Sequence, residues 1–247
     1  MELPLETQQH CQQFLEKVRQ DPNYHFNPYD RLILYNSFGP SNQFNEAGRS
    51  QISRFRNGET SRYSLSEGDK VFGWLAVITA RKVLPIYEKT FPRGTTEKKG
   101  SPAQMLDVAK NVLLGKEKPL KAYGDLCGKF YDSTTNIDFF LNEQLEFAMY
   151  TAYNALLVTL CGMGAGGSRK HFVTDDSQIK PGNEDFAATA MKTFCALDPN
   201  LPKGDFWQQG NERKPIGYSL IKRLEFWEWW LTEAIPQAWD LAHKADN

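Results

Sequence analysis

Histidine and cysteine are scarce in this chain, and neither is arranged for chemistry. The four histidines, His10, His25, His171 and His243, form no HExxH, ExxH, His-x-His or His-Asp spacing, so no metal site is expected. The four cysteines, Cys11, Cys127, Cys161 and Cys195, are far apart and show no CxxC or Cys/His pattern. They read as buried free thiols of a reducing compartment, which excludes a disulfide framework and a zinc finger. No GxSxG is present, so the nucleophile elbow of a serine hydrolase is missing. An excess of charge is lacking too: 29 basic and 30 acidic side chains leave a net charge of −1. Such a balance gives no general attraction to phosphate backbones or anionic lipids, and neither nucleic acid nor a membrane is expected as a partner. Met1 to Gln20 holds no cationic segment followed by an apolar run, and no stretch approaches the ~20 apolar residues of a spanning helix. Cytoplasmic residence is the resulting expectation.

Aromatic residues, by contrast, are abundant. Sixteen Phe, ten Tyr and six Trp make up 13% of the chain, a composition that belongs to a packed globular core rather than to disorder. Apolar residues recur at a spacing near 3.6 along almost every apolar stretch, while runs of alternating β-branched residues are rare. This periodicity predicts an all-α protein, an irregular bundle of helix pairs around one core. One domain over residues 1–247 is expected. Within it, residues 1–65 supply an opening helix and a long irregular aromatic-rich segment, packed on a helical core spanning 66–243.

Helix boundaries are written locally. Leu5 to Arg19 is a first helix ended by Asp21-Pro22, and a short helix or strand is expected at Asp30 to Asn36. Ser66 caps a helix that runs to about Phe91, with a kink expected at Pro85 inside it. Ser101, Pro102 and Gln104 open another as a capping box, and Gly115 ends it. Pro119 starts a shorter helix to about Phe130. Thr135 or Asn136 caps a long one to Gly162, apolar nearly all round and therefore central. Asn183 or Gly182 leads into a helix over 184–197, and the last helix spans Ile216 to His243, with Pro236 as a second kink.

The glycine-rich run at 162–167, before Arg169 and Lys170, resembles a phosphate cradle only in composition. It follows a helix rather than a strand and contains no Gly-Lys-Ser/Thr, which makes it a helix terminator and connection. Two carboxylate pairs, Glu143/Glu146 and Glu225/Glu228, each share a helical face, and without histidine partners they read as solvated faces. The most unusual stretch is RLEFWEWWLTEAIPQAW at 223–239, where Phe226, Trp227, Trp229, Trp230 and Trp239 nearly encircle a helix that also carries Glu225, Glu228 and Glu233. Some of these rings must face the core. Any ring left outside, flanked by carboxylates, has the composition of a binding hot spot, with Trp229 as its anchor and Glu225, Glu228 and Glu233 as charged contacts. A substrate-stacking cleft would use the same residue types.

Two further segments carry a family resemblance. WLAVITARKVLPIYEKTFP followed by SPAQMLDVAKNVLLGK resembles the helical immunity proteins of bacterial polymorphic-toxin systems, the family numbered five. The similar features are a tryptophan-containing helix with Ala-x-x-Val-Leu-Pro-x-x-Glu, a Phe-Pro turn, and a helix ending in Gly. Trp74, Ala80, Arg81, Val83, Leu84, Pro85, Glu88, Phe91, Pro92 and Gly115 occupy that signature. The resemblance covers about a third of the chain and implies an all-α protein without a cofactor, which neutralises a cognate toxin by binding it; the toxin is expected to be basic if it is a nuclease. The alternative is a helical enzyme or small-ligand-binding protein with an unfamiliar site, for which Arg81, Glu88 and Glu228 are the candidate polar groups.

Overall fold

The computed structural model describes residues 2–40, 65–91, 101–126, 128, 143–161, 185–196 and 218–244. These residues build α1 (Leu5–Gln20), α2 (Pro28–Asn36), α3 (Glu67–Thr90), α4 (Pro102–Leu113), α5 (Pro119–Asp125), α6 (Glu143–Cys161), α7 (Phe186–Cys195), α8 (Leu220–Trp229) and α9 (Ile235–Lys244), with a π-helical turn, Trp230–Ala234, joining the last two. The all-α expectation holds: among the described residues the only β pairing is an isolated bridge between Ala196 and Tyr218.

Side chains set the ends of these helices. The Ser66 hydroxyl accepts from the Asp69 amide at 3.3 Å and donates to the Asp69 carboxylate at 2.7 Å, which fixes the start of α3. Ser101 accepts from the Gln104 amide at 3.3 Å at the start of α4. That helix closes as a Schellman motif: the Gly115 amide reaches the Val112 carbonyl, the Lys116 amide reaches that of Asn111, and Gly115 takes φ +66°. Residues 28–36, within the segment read as irregular, form a helix two residues longer than expected at its start. The Asn27 side chain accepts from the Tyr29 amide and Pro28 fills the first helical position.

Two further helix starts and one interior turn differ from the sequence reading. Asp185, rather than Asn183 or Gly182, caps α7, its carboxylate accepting from the Ala187 amide at 2.8 Å. The last helix starts at Leu220 rather than Ile216, because Ser219 caps it while Tyr218 is engaged in the bridge. The proline at 236 is preceded by a widened turn, in which the Ile235 amide reaches back five residues to the Trp230 carbonyl. A proline at 236 has no amide for the Thr232 carbonyl and crowds it, and a π turn relieves that crowding. The aromatic segment beyond residue 40, Pro92, the expected cap at Thr135 or Asn136 and the glycine-rich loop lie outside the described residues, and α5 is described only to Asp125, followed by Leu126.

Two long helices organise the core. Every residue from Val71 to Ala80 of α3 is buried, and α6 is buried over most of its length. α3 packs against α4, α6, α7 and α9, while α6 packs against α3, α4 and α7. The segment after α2 approaches the start of α3 so closely that position 68 must be glycine. A Cβ on Gly68 would lie 2.7 Å from the Gly39 carbonyl oxygen and 2.8 Å from that of Pro40. α1 and α2 run antiparallel, joined by Thr7 to the Ser37 carbonyl at one end and by Lys17 to Asp30 at the other. The C-terminal helix runs antiparallel to α3, with His243 on Glu67 and the Trp230 indole donating to Thr79 at 2.9 Å. Buried side chains from α1 to α9 make one contiguous apolar cluster. Its aromatic centre contains Phe14, Phe26, Tyr35, Phe72, Phe186, Phe226, Trp227 and Trp230.

Pro85 is exposed and sits inside a helix that is continuous from Glu67 to Thr90. It leaves the Arg81 carbonyl without its helical donor, so Pro85→Ala should restore one hydrogen bond and raise stability by about 1–2 kcal/mol, net of the extra freedom gained by the unfolded chain. Thermal denaturation monitored by circular dichroism checks this. A lower melting temperature would mean that the ring has a packing role its exposure does not reveal.

Candidate functional site

Of the five aromatic residues in the C-terminal stretch, four belong to the core. Phe226, Trp227 and Trp230 are fully buried and Trp239 nearly so. Trp229 alone stays half-buried, at the edge of the cluster against Phe226, with ring centroids 5.7 Å apart. The Lys82 ammonium of α3 lies 4.6 Å from the centre of the Trp229 ring and 5.7 Å from that of Phe194 on α7. α3, α7 and α8 thus meet at one exposed cation and two aromatic rings.

The carboxylates of the same helix differ in their commitments. Glu225 and Glu233 are exposed and belong to none of the ion pairs of the described residues. Spacings of four residues place both beside Trp229 on one helical face. Glu228 is held instead by Arg19 of α1, with its Oε1 2.8 Å from Nε and 2.7 Å from Nη2. It ties α1 to α8, an architectural role the sequence did not reveal.

The residues of the signature segment spread over several environments. Trp74 is buried in α3, and Gly115 supplies the left-handed turn that ends α4. Arg81 is exposed and paired with Asp107 at 3.3 Å, Glu88 is half-buried, Pro85 is exposed, and Pro92 lies outside the described residues. Arg81 and Glu228, two of the three polar groups of the enzyme alternative, are therefore committed to different partners.

Sequence reading missed the most heavily buried charge among the described residues. Arg31 is 1% exposed, and its Nε lies 2.7 Å from Oδ2 of Asp185. Its Nη1 donates to the Phe26 carbonyl, and its guanidinium sits 5.8 Å from the Phe26 ring and 5.4 Å from that of Trp227. The Tyr35 hydroxyl completes the group, donating to Asp185 at 3.0 Å. Burial first, then the Asp185 charge, hold the Tyr35 phenol well above its ordinary pKa, which keeps it a donor. A signal was present: Arg31, Leu34, Tyr35 and Phe38 follow i, i+3, i+4, i+7 spacing, so an arginine occupies the apolar stripe and requires a buried counter-charge. Cys11 and Cys195 are buried free thiols whose pKa burial pushes up to about 12, leaving them protonated and unreactive at neutral pH. Among the described residues no group of three or more His, Cys, Asp or Glu side chains could hold a metal ion, and no helix is long and apolar enough to cross a membrane.

Together these features define an all-α protein whose C-terminal helix presents a tryptophan and two carboxylates on its outer face. The sequence matches the family described as immunity protein Imm5 over residues 12–237, and the chain belongs to that family. The match extends well beyond the third of the chain that carries the visible signature, taking in α2, the buried Arg31 and Asp185, and the C-terminal helix as far as Gln237. No curated protein matches the chain.

Proposed function

We propose that this protein is a bacterial cytoplasmic immunity protein of a polymorphic-toxin system, which neutralises a cognate toxin by binding it directly, without a catalytic step or a cofactor. Membership of the immunity family over residues 12–237 is the observation that carries this reading. The proposed contact face is the outer side of the C-terminal helix, with Trp229 as anchor and Glu225 and Glu233 as charged contacts. Glu228 sits at its margin, where its pairing with Arg19 stiffens the support. An aromatic anchor gains by leaving water at the centre of an interface, and unpaired carboxylates steer and then pair with a basic partner, as a nuclease would be. Neither nucleic acid nor a membrane is part of this proposal.

The test is binding of the toxin domain encoded beside this gene, followed by kinetics on surface variants. Charge reversal at Glu225 and Glu233 should slow association and flatten its salt dependence, because both residues act through long-range attraction. Trp229→Ala should instead speed dissociation, by an amount equivalent to about 2 kcal/mol. Because Trp229 is half-buried, its melting temperature must be measured alongside. A large loss of stability with unchanged binding would make it a packing residue only and remove this face.

A further inference from the structure

We propose that the rings of Trp229 and Phe194 form a cation-accepting slot that Lys82 fills in the free protein and that a lysine or arginine of the toxin takes over in the complex. This proposal rests on the toxin-binding reading above and names the chemistry of the partner at its centre. The Lys82 ammonium stands 4.6 Å from one ring centre and 5.7 Å from the other, within the range at which a ring's negative face attracts a cation. The side chain reaches this place from α3 while the residue remains exposed, so its head is removable without breaking the core. Among the described ion pairs, none holds Lys82. Glu225 and Glu233 flank Trp229 at four-residue spacing, and their unpaired carboxylates give the surroundings the charge that a second, incoming cation needs. A partner cation must first displace Lys82, and the attraction lost in that exchange is subtracted from its affinity.

The consequence is counter-intuitive for an exposed lysine beside an interface: removing its side chain should tighten binding. Lys82→Ala should lower the Kd for the neighbouring-gene toxin domain by about three- to fivefold, the size of one exposed cation–ring contact. Loss of a like charge alone would also favour a basic partner, so Lys89→Ala, on the same helix and over neither ring, measures that contribution and should give a smaller gain. The decisive measurement is a double-mutant cycle with Trp229→Leu, which removes one wall of the slot. In that background the advantage of Lys82→Ala over Lys89→Ala should vanish. Lys82→Ala is a surface change to a strong helix former, so a folding defect is not expected to obscure the result. Weaker or unchanged binding by Lys82→Ala, or a gain that survives Trp229→Leu, would overturn the slot while leaving toxin binding intact. Failure of the unaltered protein to bind the toxin would overturn the toxin-binding reading and the slot with it.

Discussion

Arg31→Ala is expected to cost about 3–5 kcal/mol of folding stability, the range found when one partner of a buried ion pair is removed. The guanidinium is shielded by the Phe26 and Trp227 rings and joins α2 to the first turn of α7 through Asp185. Without it, the Asp185 carboxylate keeps the Tyr35 hydroxyl and the Ala187 amide but loses its counter-charge while remaining largely buried. Asp185→Asn makes the useful comparison. Asparagine caps a helix as well as aspartate does, so this variant preserves the start of α7 and isolates the loss of charge on the other side of the pair. Replacing both residues by apolar ones should not be neutral, because Asp185 also caps a helix, a contribution of about 1 kcal/mol. Urea denaturation at unchanged slope measures all three variants. A loss below about 1 kcal/mol for Arg31→Ala would mean that water reaches the pair more readily than its burial indicates.

Trp230→Ala should be comparably severe, at about 3–5 kcal/mol, because it removes a fully buried indole from the centre of the aromatic cluster. The ring makes edge-on contacts with Phe26, Tyr35 and Trp227, so the α1–α2 connection, α2 and α8 lose a packing partner at once. Part of the effect is polar. The indole N–H donates to Thr79 in the middle of α3, where that residue is completely buried. Thr79→Val would leave the donor unsatisfied and should cost about 1–3 kcal/mol, whereas Trp230→Phe together with Thr79→Val removes both ends and should cost less than the sum of the single changes. Strict additivity would show that the contact contributes nothing of its own.

These expectations trace what could be read in the sequence and what could not. Ser66, Ser101 and Gly115 were legible because each acts on backbone groups within about one turn of itself, and a helix boundary is settled by such neighbours. The family signature was legible for the same reason, being a run of turn and packing residues in one stretch. Arg31 with Asp185, Arg19 with Glu228, and Lys82 with Trp229 join positions far apart in the chain, and nothing local in either partner names the other. The acidic and aromatic C-terminal stretch shows both situations. Its composition marked it as unusual, yet only the packing of α1, α3 and α7 against it distinguishes the buried Trp227 and Trp230 from the half-exposed Trp229 and shows which glutamates remain unpaired. The residues proposed to meet the toxin were visible as types before they were separable as roles.

The widened turn at Trp230–Ala234 has a consequence for how this helix can vary. A hydrogen bond that closes one residue later than usual accommodates one extra residue within the turn, while the flanking segments keep their buried faces toward the core. Thr232 and Glu233, both exposed, are displayed from that turn. Shortening it by one of these two residues would return a regular α-helix and leave Trp227 and Trp239 on their present sides, while restoring the crowding of Pro236 against the carbonyl four residues before it. Most interior positions here can diverge only by exchanging side chains. This turn offers the chain a means of recasting its outer surface by shedding a residue.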